Sequence, residues 1–61
     1  MLDRVAQTVA GDYIRQYGRS AARCLREKQE FAAEQGDAPS AAEWGQIAEV
    51  AELILSEIAR V

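Results

Sequence analysis

Four arginines, Arg15, Arg19, Arg23 and Arg26, follow one another at steps of four, four and three residues. On a helix these steps place them along one ridge. A row of guanidinium groups is chemistry suited to the phosphates of RNA or DNA. Two features weigh against that use. The chain carries seven basic and ten acidic residues, for a net charge of −3. No exposed aromatic residue is expected to interleave with the arginines as a base-stacking platform, Tyr17 being assigned to the apolar stripe. Like charges at i,i+4 repel by a few tenths of a kcal/mol per pair, and Asp12, Glu27 and Glu30 are placed to offset this. The favoured reading is a solvated face. The alternative is a helical dimer that binds nucleic acid through these four side chains.

The remaining inventory excludes most chemistry. There is no histidine, so the commonest general base and the commonest metal ligand are both missing. A single cysteine, Cys24, rules out an internal disulfide, and its place at the edge of an apolar stripe suits a small packed residue. Asp37 and Glu43 form no metal-ligand pattern. No nucleophile–base pair and no glycine-rich phosphate loop is present. The expectation is a protein that is not an enzyme, with no catalytic, metal or cofactor site.

The elements that position these residues are all helical. Residues 35–44 read QGDAPSAAEW and hold most of the punctuation. Gly36 suits a left-handed helix end. Pro39 cannot continue a helix and biases Ala38 toward extended backbone. Ser40-Ala41-Ala42-Glu43 matches a capping box, with Pro39 and Trp44 at the staple positions. These cues predict an antiparallel hairpin, with one helix over about residues 2–35, a loop at 36–39 and a second helix over about 40–60.

Both helices carry apolar stripes at three-and-four spacing. The first holds Tyr13, Ile14, Tyr17, Ala21, Cys24, Leu25, Phe31 and Ala32. The second holds Trp44, Ile47, Ala48, Ala51, Ile54, Leu55, Ile58 and Val61. Lys28 interrupts the first stripe, and Leu53 falls outside the second. The first helix is the longer by about a dozen residues, and Leu2, Val5 and Val9 on that overhang are rotated from the stripe by roughly a quarter turn. Either the helix bends near Gly11-Asp12 and folds its start back, or the start meets another surface. Gly18 is a second candidate break, with Ser20 as a new cap. The stripe runs through Gly18 in phase, which favours continuity there. Glycine inside a helix nevertheless costs up to ~1 kcal/mol and calls for a reason. The alanines are explained by helix propensity alone.

Size and composition then point to a partner. A chain of 61 residues is one domain, and a domain of that length buries only about 60% of its unfolded surface. Of its 30 apolar residues 12 are alanine, so two helices touching along one seam leave the larger side chains wet. Residues 1–30 carry a net +2 and residues 31–61 a net −5, a complementarity that suits antiparallel pairing. The expected assembly is a homodimeric four-helix bundle, or capture by another protein to which this chain is an accessory or regulatory subunit. The expected interface is Tyr13, Ile14, Tyr17, Ala21, Leu25, Phe31, Trp44, Ile47, Ala51, Ile54, Leu55 and Ile58. No apolar run reaches the ~20 residues of a membrane span. The opening MLDRVAQTVAG lacks a secretory core, and Asp3 and Asp12 oppose the faint transit-peptide character given by Arg4 and Arg15. A cytoplasmic protein is expected.

Tyr17-Gly18-x-x-Ala21, Gly36-Asp37 and Trp44-x-x-Ile47, followed by an apolar second-helix tail, carry a resemblance over about residues 13–58. In these the chain resembles a group of short proteobacterial proteins that share a domain of unknown function. The resemblance implies a small all-helical protein and brings no activity, ligand or catalytic residue.

Overall fold

Gly18 has φ +61°, a left-handed conformation that glycine adopts without the Cβ penalty. It breaks the first helix there. The computed structural model describes residues 4–60, so Leu2 and Val61 lie outside the described residues. The order is α1 (Arg4–Tyr17), a 3-10 turn (Gly18–Ser20), α2 (Ala21–Glu34) and α3 (Ala38–Arg60). No strand occurs among the described residues. The single helix expected over 2–35 is thus two helices of 14 residues each. The bend lies at Gly18, and α1 runs unbroken through Gly11-Asp12. Apolar phase is insensitive to one residue that flips hand, which is why the stripe hid the break. Ser20 precedes α2 but makes no side-chain cap hydrogen bond.

The overhang does not exist, because α1 folds back along α3. Val5 and Ala6 lie beside Glu43, Gln46 and Ile47. At the other end Arg19 lies beside Leu55, Ile58 and Ala59. Therefore α1 points the same way as α3. The α2 helix runs opposite, with Arg26 bound to Glu52 and Lys28 over Trp44. At 1.5 Å per residue, two helices of ~21 Å lie on one of ~34 Å, and the length mismatch disappears.

The core is small and rich in alanine. Its fully buried apolar residues are Ala6, Ala10, Ala21, Leu25, Ala48, Val50 and Ala51. Tyr13, Ile14, Ala22, Trp44, Ile47 and Ile54 pack against the main cluster. Ala6 and Ala10 stand seven residues before Tyr13 and Tyr17, which puts them on the face that meets α3. Val5 stays 64% exposed. This accounts for the rotation of Val5, which belongs to another face, while Val9 is half-buried. Burial of Ala21 and the other core alanines gives them a packing role beyond helix propensity, since a methyl side chain lets helix axes approach toward the short end of the usual 8–10 Å. Gly45 is buried on the same seam, where a Cβ would meet the end of the Gln29 side chain, Nε2 at 2.6 Å.

The hairpin bend is tighter than expected. Gly36, at φ +75°, closes a Schellman motif in which its own amide donates to the Ala33 carbonyl (3.0 Å) and the Asp37 amide donates to Ala32 (2.9 Å). Asp37 then caps α3, its Oδ1 accepting from the Ser40 amide at 3.2 Å. The cap is therefore Asp37, not Ser40, and α3 begins at Ala38 rather than about 40. Glu43 takes no part in a capping box, and Pro39 and Trp44 are not staple partners. Pro39 fits the first turn because an amide there has no helical acceptor.

Candidate interaction surface

The chain has one tryptophan, two tyrosines and one phenylalanine, and all four gather on one side. Tyr13 and Tyr17 are one turn apart on α1, their rings 5.6 Å between centroids. Tyr13 meets the Trp44 ring edge-on at 6.3 Å, a favourable arrangement of two ring quadrupoles. From α2, the Lys28 ammonium sits 5.5 Å over the Trp44 ring. This resolves the lysine that breaks the stripe: its stem lies along apolar surface and its charge rests on a π face. Beside it Phe31, Ala32, Gln35, Asp37 and Ser40 complete a shallow depression of about 320 Å³.

Along α3 the same face continues. Ser40, Trp44, Leu55 and Ile58 fall within a narrow arc at 100° per residue. Arg19, Leu55, Ile58 and Ala59 line a second depression of about 260 Å³. The rim thus runs from Phe31 and Trp44 near the bend to Ile58 near the Gly18 turn. Its first end carries Lys28 and Asp37, its second Arg19.

The structure divides the expected interface residues. Ala21, Leu25 and Ala51 are sealed inside the chain and cannot face a partner in this fold. Tyr13, Ile14, Trp44, Ile47, Ile54 and Leu55 are half-buried. Tyr17, Phe31 and Ile58 are 47%, 52% and 58% exposed. Leu53, outside the stripe, is exposed as its phase requires. Cys24 is a free, half-buried thiol.

The arginines do not form one ridge. Arg15 belongs to α1, Arg19 to the turn, and Arg23 and Arg26 to α2, so the break at Gly18 splits the row. Arg15 pairs with Asp12 at 3.0 Å. Arg26 donates from Nε and Nη2 to the two carboxylate oxygens of Glu52 (3.1 and 2.8 Å) and from Nη1 to Gln29 (2.9 Å). This bidentate geometry is the strong form of the pair. The hydrogen bond from Arg26 holds the Glu52 carboxyl below its ordinary range. The same bond raises Arg26 further. Both side chains are more than a third exposed, so solvent limits the pair to roughly 0.2–1 kcal/mol. Sequence reasoning missed it. The opposite charges of the two halves were visible, but the register was not.

Among the described residues no cluster of three or more histidine, cysteine or acidic side chains is placed to hold a metal. No helix among them is long and apolar enough to cross a membrane. Every buried side-chain polar atom described has a hydrogen-bond partner. Comparison with family models, curated proteins and solved structures gives no match.

Proposed function

We propose that this chain is a small non-enzymatic interaction protein that self-associates, the aromatic rim of one copy meeting that of a second. The supporting observation is an imbalance of burial. Leu25 is the one large side chain fully enclosed among the described residues, while Tyr17, Phe31 and Ile58 stand about half open along one side. Covering the open half of each is worth on the order of 1 kcal/mol. In such a dimer α2 and α3 of each copy supply four helices to the interface.

A second copy suits this rim because its acid, Asp37, and one of its bases, Arg19, stand at opposite ends. A two-fold axis across its middle sets Arg19 of each copy near Asp37 of the other, as an isologous interface requires. Sedimentation velocity on the native chain and on Phe31→Asp and Ile58→Asp tests the reading. The native chain is expected to dimerise, and each variant to weaken the dimer at least tenfold with helicity retained. A native chain that stays monomeric, or variants that dimerise as well as it does, would overturn the proposal.

A further inference from the structure

We infer that Gly18 is a hinge through which α1 is exchanged between two copies of the chain. Between Arg4 and Glu34 only Gly18 has a positive φ. Tyr17, at φ −115°, ψ −6°, and Ser20, at φ −79°, ψ −7°, are already right-handed. Rotating Gly18 into the right-handed region, with smaller adjustments at these two residues, joins α1 and α2 into a single helix of about 31 residues. The apolar stripe Tyr13, Ile14, Tyr17, Ala21, Cys24, Leu25 stays in phase across that junction. Glycine populates both hands about equally, so the residue itself sets little preference between the two forms.

The hold of α1 on its own chain is apolar, with Tyr13 and Ile14 half-buried against the core cluster. The fully buried residues of α1 are two alanines, Ala6 and Ala10. The side-chain hydrogen bonds of Thr8 and Arg15 end within α1, on Arg4 and Asp12. By contrast, α2 is tied to α3 through Arg26 and Glu52. In the open form α1 leaves its own α3 and takes the same seat, beside Tyr13's partner Trp44 and against Ile47, on the α3 of a second copy. The packing that α1 gives up within its own chain is recovered between chains, which is the thermodynamic basis of domain swapping across a short hinge. The occupant of the vacated seat is therefore α1 of another copy, and exchange rises with concentration. This inference rests on the self-association reading and deepens it.

The test is an intrachain distance measured together with mass. Gln7 and Glu30 are exposed, on α1 and α2 respectively. Spin labels are placed at Gln7→Cys and Glu30→Cys on a Cys24→Ser background, and labelled chain is diluted into unlabelled chain. In the closed form the start of α1 lies beside Glu43 to Ile47 and α2 passes Trp44 at Lys28, so the fold-back brings the two sites toward the same end of the molecule and shortens their separation. In the open form 23 helical residues separate them by ~35 Å. Gly18→Ala penalises the left-handed state and is expected to shift each hinge toward the open form by roughly tenfold or more. Pulsed dipolar spectroscopy is expected to show the longer distance in the dimer, enriched by Gly18→Ala. A dimer that keeps the short distance in both proteins overturns the exchange and leaves self-association standing. A monomer throughout overturns both. Should Gly18→Ala fail to fold, the native sequence at rising concentration reads the same two distances, and a short one at every concentration overturns the exchange.

Discussion

Leu25 and Leu53 are the same side chain in opposite situations, 0% and 57% exposed. Truncating each to alanine removes identical atoms, so the difference reports the core alone. Leu25→Ala removes the largest fully buried side chain of the core cluster. The other fully buried members of that cluster are alanines and one valine, short and fixed to helix backbone, with Tyr13, Ile14, Trp44, Ile47 and Ile54 partly buried around them. Buried leucine truncations cost 2–5 kcal/mol, more where the site cannot collapse; here about 3 kcal/mol is expected. A chain of this length has a total stability of roughly 3–9 kcal/mol. Leu25→Ala therefore removes a third or more of it. With a urea slope near ~1 kcal/mol per molar for so small a protein, the midpoint falls by about 3 M. Leu53→Ala is expected to change stability by about 0.5 kcal/mol or less. Urea unfolding followed by helicity at one protein concentration, for all three proteins, reads both numbers. A loss below about 1 kcal/mol for Leu25→Ala, or an equal loss for both variants, would refute the packing described above.

Other outcomes follow from the bend and the helix seam. Gly36→Ala finds nothing within 4 Å of its new Cβ, so its cost is the left-handed backbone alone, about 1–2 kcal/mol; Gly36→Asn is expected to cost less, both read by thermal melting. The nearby Ser40 hydroxyl, together with the hydrogen bond from the Ser40 amide, holds the Asp37 carboxyl below the usual range. A depressed acid stabilises the fold fully above its unfolded pKa and loses that contribution as pH falls through its folded pKa. An acid titration of the melting temperature is expected to show this loss in the native chain and a smaller one in Asp37→Asn, which keeps a capping side chain. Asp37→Ala is expected to melt lower than either at neutral pH. Gly45→Leu forces α2 away from α3 at Gln29 and is expected to cost 1–3 kcal/mol or more, whereas Gly45→Ala displaces only the flexible end of Gln29 and stays within about 1 kcal/mol of native.

Much of the architecture could be read from the residues, and each failure has a physical reason. The helical class, the hairpin of the last two helices and the turn at Gly36 followed from periodicity and from glycine's freedom at positive φ. The cap was misplaced because Asp37 and Ser40 are both good caps three residues apart, and Pro39 is tolerated on either side of a helix start. Continuity through Gly18 failed because apolar phase registers the number of residues in a break, not the hand of one of them. The alanines misled for a related reason. Alanine favours helix on its own account, so its second use, letting α1 and α2 close on α3, leaves no separate mark in the composition. Lys28 read as a defect in the stripe until its partner across the seam, Trp44, was in place. The arginine row dissolved once the same break put Arg15, Arg19 and the pair Arg23 and Arg26 on separate elements.

The proposed self-association rests on a rim of aromatic and aliphatic side chains that α1, α2 and α3 leave open. The most direct measurement of it is the solution mass of the native protein by light scattering over a dilution series, with helicity recorded at each step. A reversible dimer at micromolar concentration, dissociating on dilution with helix content largely kept, is the result predicted. A fully helical monomer at every concentration would contradict it.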